Sequence, residues 1–136
     1  MIIAVDAMGG DFSPQATVQG SIDALKRSNK ELDIILLGDE KRINNILKLE
    51  FPKNIKIVHC IDEVTMHDIG SKILRTKPES SMVRGIKLLK DDKADAFISA
   101  GNTGALMALS KIILKTISGI ISKLLENKST FFKSSV

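Results

Sequence analysis

The chain has 136 residues, about one domain's worth, and its 43% hydrophobic and 26% charged residues are those of an ordinary soluble globular protein. Its net charge of +4 is spread along the whole chain, and with no Trp or Tyr and only five Phe there is little on which bases could stack. A general nucleic-acid binder is therefore excluded, since the densest basic stretch, Lys72, Arg75 and Lys77, is too sparse for a binding stripe.

The single cysteine, Cys60, cannot close an internal disulfide, and the apolar run Met1 to Val5 is stopped at once by Asp6, too early for a secretory core. A cytoplasmic location is expected. No stretch approaches the ~20 apolar residues of a membrane span, because Ala105 to Ile121 is broken by Ser110, Lys111, Lys115, Thr116, Ser118 and Gly119.

In chain order, Ile2 to Val5 reads as a strand covered on both faces. Gly9-Gly10 breaks it, and Ser13-Pro14 reads as the N-cap and first residue of a helix carrying Val18, Ile22 and Leu25 on one side. Ile34 to Leu37 is a second buried strand closed by Gly38-Asp39, followed by a short helix through Ile43, Ile46 and Leu47 that ends before Pro52. Ile55 to His59 is a third strand. Asp62 to Thr76 reads as a loop with a helical turn or two.

After Pro78, Met82, Ile86 and Leu89 mark an amphipathic helix, Ala94 to Ser99 a short strand, and Ala100 to Gly104 a turn into a long apolar helix. Alternating strand and helix patterns point to βαβ units around a mostly parallel sheet with helices on both faces. Residues 118–136 have no clear period and no closing strand, so the chain is expected to divide into an α/β part over 1–119 and an atypical tail over 120–136, with the fold incomplete.

Ligands of open α/β sheets bind beyond the carboxyl ends of the strands, and two glycine-rich segments take that position. In Ser99-Ala100-Gly101-Asn102-Thr103-Gly104, Gly101 permits an unusual backbone conformation and a close ligand approach, and Gly104 lets the helix lie against the strand. The unpaired N–H groups and dipole of a helix starting near Asn102 or Thr103 suit an anion, with Ser99, Asn102 and Thr103 as further donors. The alternative is an ordinary turn capped by Asn102 or Thr103.

In Asp6-Ala7-Met8-Gly9-Gly10-Asp11, Asp6 either orients or deprotonates a nucleophile, or simply holds the Gly9-Gly10 backbone while Asp11 or Ser13 caps the next helix. Arg75, Lys77, Ser80 and Ser81 either face the same mouth as phosphate donors or form a solvated loop in which the serines cap a helix. His59, His67 and Cys60 have no metal-ligand spacing, and no Walker loop or nucleophile elbow is present. Met8, Met82 and Met107 read as core filling.

Ile3-Ala4-Val5-Asp6-Ala7-Met8-Gly9-Gly10-Asp11 resembles the opening signature of the PlsX-type phosphate acyltransferases. Ser80-Ser81-Met82, Ala94-Asp95-Ala96 and Ser99-Ala100-Gly101-Asn102-Thr103-Gly104-Ala105-Leu106-Met107 resemble its second signature, in order and spacing, and the likeness runs from residue 1 to about 120. The resemblance implies a three-layer α/β/α fold like that of isocitrate- and isopropylmalate-type dehydrogenases, a homodimer and no organic cofactor. It also implies transfer of an acyl group from acyl-acyl-carrier-protein to inorganic phosphate in bacterial phospholipid synthesis. The acyl-phosphate then feeds a membrane glycerol-phosphate acyltransferase, and the enzyme is cytoplasmic, at most peripheral at the membrane surface.

On this resemblance Asp6, Lys77 and Asn102 are catalytic candidates. Gly9, Gly10, Ser80, Ser81, Ser99, Gly101, Asn102, Thr103 and Gly104 are candidates for binding phosphate or substrate. Family members are more than twice as long, so little or no transfer activity is expected of this chain alone, with a non-catalytic remnant that binds phosphate or a partner as the alternative. A small independent phosphate- or nucleotide-binding module and a surface membrane binder using Leu106 to Lys128 are further alternatives.

Overall fold

The computed structural model describes residues 1–28, 31–48 and 52–115. The proposed tail over 120–136 lies outside the described residues. Strands and helices follow one another as β1 (Ile2–Asp6), α1 (Gln15–Arg27), β2 (Asp33–Gly38), α2 (Glu40–Leu47), β3 (Ile55–His59), α3 (Gly70–Thr76), α4 (Ser81–Lys90), β4 (Ala96–Ile98) and α5 (Thr103–Leu114). The sheet is parallel throughout, in the order β3-β2-β1-β4, so the expected α/β fold stands.

Alternation along the strands divides the core into layers. Ile3, Val5, Ile34, Leu36, Ile55 and Ile57 face Val18 and Ile22 of α1 and Ile43 and Leu47 of α2. On the opposite face Ala4, Ile35, Leu37 and Val58 meet Leu88 and Leu89 of α4. Ile73 of α3, Met82, Val83 and Ile86 of α4 and Ala105, Leu109 and Ile113 of α5 form a third cluster beside Phe97. A Cβ on Gly85 would collide with the Phe97 ring, so glycine sets how closely α4 approaches β4.

Three expectations change. Ser13 does not cap α1: its hydroxyl donates to the Met8 carbonyl at 2.8 Å, Pro14 takes the N-cap position without a side-chain bond, and the helix starts at Gln15. Neither Asp11 nor any other side chain caps that end. Met8 and Met82 are buried, but Met107 lies on the outer side of α5, more than half exposed, because the helix packs by Ala105, Leu109 and Ile113. The loosely read stretch resolves into a loop over 61–69 and the helix α3.

Candidate functional site

From β1 the chain winds outward through β2 and β3, then crosses the sheet and returns as β4 on the other side of β1. The direction of winding thus reverses between β1 and β4, the switch point at which a crevice opens beyond the strand ends. The turns leaving these two neighbouring strands are the two glycine-rich segments, which strand pairing brings into contact although they are over ninety residues apart.

Their contact is tight. A Cβ on Gly9 would stand 2.8 Å from Asp6 Oδ2 and 2.8 Å from the Gly101 nitrogen, and one on Gly101 would stand 3.3 Å from the Gly9 Cα. Gly101 therefore matters for close approach and not, as expected, for an unusual conformation. The positive φ belongs to Gly10, at 102°. Gly104 also departs from expectation. A Cβ there would meet only Asn102 Oδ1, at 3.5 Å, and the close packing comes instead from Gly70, where a Cβ would clash with Ala108 of α5.

Asp6 is buried at the end of β1, and both carboxylate oxygens have donors. Oδ1 accepts from the Met8 N–H at 3.1 Å, and Oδ2 from the Ser99 hydroxyl at 2.7 Å. Ser99 Oγ in turn accepts from the Gly101 N–H at 3.2 Å. A buried carboxylate thus ties the two turns together, and the bonds to a charged acceptor are of the stronger kind. Asp6 accepts its backbone bond from Met8 instead of from Gly9-Gly10, and the one proton of the Ser99 hydroxyl goes to this carboxylate and not outward to an anion, as the donor expectation for Ser99 had it.

Asn102 is also buried and is used on both sides. Its Oδ1 caps α5 by accepting from the Ala105 N–H at 2.9 Å, while Nδ2 donates to the carbonyls of Thr65, Met66 and Asp68 at 3.0, 3.3 and 3.1 Å. The amide orientation follows from these partners, since a flipped amide would set an oxygen against three carbonyls. The side chain thereby clasps the 61–69 loop across the start of α5. Thr103 and Gly104 remain exposed in the first helical turn, where N–H groups lack intrahelical acceptors.

Lys77 belongs to the same assembly. Its Nζ reaches Asp68 Oδ2 at 2.6 Å and the Glu63 carbonyl at 2.8 Å, so the loop holds its charge. The ammonium, aided by the Thr65 N–H, lowers the Asp68 carboxyl from its ordinary 3.8 to about 2. Arg75 is exposed in the last turn of α3. Ser80 caps α4, its Oγ accepting from the Val83 N–H at 3.4 Å, and Ser81 is buried in the first turn. The capping alternative describes the geometry of Ser80, whereas Ser81 is the first residue of the helix itself.

The 61–69 loop was not singled out in the sequence, and Asp68 is the residue missed. Thr65-x-x-Asp68 is a spacing that could have marked it: the Thr65 N–H and hydroxyl both donate to Asp68 Oδ2, at 2.6 and 3.0 Å. Among the described residues no three His, Cys, Asp or Glu side chains group as metal ligands, and no helix is long and apolar enough to cross a membrane. Cys60 is buried behind the strand ends, and burial pushes its thiol up to about 11.

A family model described as "Fatty acid synthesis protein" matches residues 1–127. Among curated proteins, a phosphate acyltransferase of Shewanella halifaxensis is 48% identical over 123 residues, covering 88% of this chain and 36% of the relative. Phosphate acyltransferases of Alkaliphilus oremlandii and Chlorobaculum parvum are 46% identical over 122 residues and 42% over 123, again covering 88% of this chain and 36% of each relative. The chain spans about a third of the length of these relatives.

Proposed function

The chain belongs to the fatty acid synthesis protein family, and on that premise we propose that its protein transfers an acyl group from acyl-acyl-carrier-protein to inorganic phosphate. A phosphate oxygen attacks the thioester carbonyl, the C–O bond forms, the C–S bond breaks and the carrier thiol leaves with a proton. The acyl-phosphate then supplies a membrane glycerol-phosphate acyltransferase.

The observation that carries this reading is the union of the two glycine turns at the β1/β4 switch point, fixed by the 2.7 Å bond from Ser99 to Asp6. Such a reaction needs a cradle for phosphate and donors for the developing oxyanion. Under this reading the N–H groups of Thr103 and Gly104, at the positive end of α5, form the cradle. Gly9, Gly10 and Gly101 keep side chains away from it. Asp6 acts by accepting the Ser99 hydroxyl proton in a hydrogen bond, which holds the second glycine turn beside the first. Asn102 and Lys77 act as positioning residues, through the loop they anchor. Ser80 and Ser81 fix the start of α4.

The test supplies the purified chain with palmitoyl-acyl-carrier-protein and inorganic phosphate and traps acyl-phosphate with hydroxylamine. Hydroxamate formed in proportion to phosphate is the expected result if these residues suffice for transfer. A chain that binds phosphate without forming hydroxamate contributes the cradle alone. Absence of phosphate binding would refute the site.

A further inference from the structure

On the face of the sheet that carries α4, coverage is uneven. The helix packs over β4, β1 and β2, and the outer strand β3 presents a half-buried Val58 beside it. A cleft of about 240 Å³ remains there. Leu37, Val58 and Leu88 form its apolar floor, and Arg84, Lys87 and Lys93 surround it with Asp91 as the single acid. No residue of either glycine turn lines it.

Three cations against one carboxylate leave this rim positive. Lys87 and Lys93 are exposed, and among the described residues neither ammonium has an ion-pair partner. Arg84 is anchored at one end: its Nη1 donates to the His59 carbonyl at 2.9 Å and lies 3.4 Å from Glu79 Oε2. Among the described residues these are its side-chain bonds, so Nε and Nη2 keep their donors. A guanidinium anchored in this way offers its remaining donors in a fixed fork, which suits a carboxylate.

Charge argues against an occupant from this chain. Residues 116–136 carry Lys123, Lys128 and Lys133 against Glu126, and a second copy has a net charge of +4, so either would bring like charge to the rim. The lining is also far smaller than the roughly 20–30 residues a side of a stable protein interface. Its size suits a small molecule: an apolar cavity of about 150 Å³ holds benzene, so this one has room for a ring and a carboxylate beside it. We propose that the cleft binds a small amphipathic carboxylate, at a site separate from the glycine-turn crevice. The apolar body lies on Leu37, Val58 and Leu88, and the carboxylate meets Arg84, Lys87 and Lys93.

The experiment titrates benzoate, and separately the uncharged benzamide, into the purified chain while amide NMR signals are followed. Benzoate should move the signals of Val58, Leu88 and Lys93, and excess inorganic phosphate should not reverse the change. Benzamide should bind about tenfold more weakly, the worth of one charge-assisted hydrogen bond. The double variant Lys87→Gln, Lys93→Gln should weaken benzoate by about tenfold and leave benzamide unchanged. Both lysines are exposed, and an unchanged thermal melt by circular dichroism verifies the fold.

Benzoate shifts confined to Gly101 through Gly104 and reversed by phosphate would assign the carboxylate to the glycine turns and overturn the cleft. Equal affinity for benzoate and benzamide would reduce the cleft to an apolar hollow and overturn the anion site. Absence of any shift overturns it outright. Shifts at Val58 and Leu88 with poly-glutamate but none with benzoate would assign this face to an acidic protein and overturn the small-molecule site.

Discussion

Replacement of Asn102 separates what holds the site together from what forms the helix. In Asn102→Ala, α5 loses its cap, a change of about 1 kcal/mol. The Thr65, Met66 and Asp68 carbonyls also lose their shared donor. An amide has two N–H groups, so two hydrogen bonds' worth is lost at about 1 kcal/mol each, limited because water reaches the released carbonyls of an exposed loop. The total is about 3 kcal/mol of the few available to a domain of this size.

Asn102→Asp keeps the shape and the cap, and adds a negative charge favourable at the start of a helix, but it turns an acceptor towards three carbonyls. It should leave α5 intact while releasing the loop. Urea unfolding followed by circular dichroism gives the stability change, and amide hydrogen exchange over residues 61–70 reports the loop. The expected pattern is a loss of about 3 kcal/mol for Ala and fast loop exchange in both variants. An Asp variant with wild-type exchange in the loop would refute the clasp, and an Ala variant within about 0.5 kcal/mol of wild type would refute the magnitude.

Two other predictions follow from the geometry. Gly9→Ala forces a Cβ within 2.8 Å of Asp6 Oδ2 and the Gly101 nitrogen and should cost about 2–4 kcal/mol, whereas Gly20→Ala, in the exposed interior of α1 with nothing within 4 Å, should stabilise by about 0.5–1 kcal/mol; urea midpoints of opposite sign check the pair. Asp68 is held below its ordinary 3.8, so its pairing with Lys77 stabilises the fold above that pH and is lost as pH falls through about 2. After allowance for solvent screening the contribution is about 1 kcal/mol, and Lys77→Met should flatten the stability profile between pH 5 and 2 by roughly that amount, with an unchanged slope refuting the pairing.

The strands were legible in the sequence because burial on both faces leaves continuous apolar runs such as Ile2 to Val5 and Ile34 to Leu37, bounded by Asp and Gly. Ile55–His59 reads directly as the strand it forms. The start of α1 did not, because a serine before a proline resembles a cap whether or not its hydroxyl has a nearer carbonyl to bind, here that of Met8. Both glycine turns were visible as local patterns. Their contact was not, since it depends on β4 pairing with β1 and on the absence of a Cβ at Gly9. Lys77 looked like a free cation for the same reason: Asp68 is nine residues away, and the loop geometry that joins them leaves no periodic trace.

The Asp6–Ser99 bond spans 93 residues, which gives the site a place in time as well as in space. During synthesis β1 and its glycine turn leave the ribosome early and can pair with β2, but the carboxylate lacks its hydroxyl partner until β4 has been made. At ~5–20 residues per second that interval is about 5–20 seconds. Throughout it the inner edge of β1 stands open, a surface on which other strands can pair. A chaperone that shields β1 during this interval should therefore raise the yield of folded protein, and slowing translation across residues 70–95 should lower it.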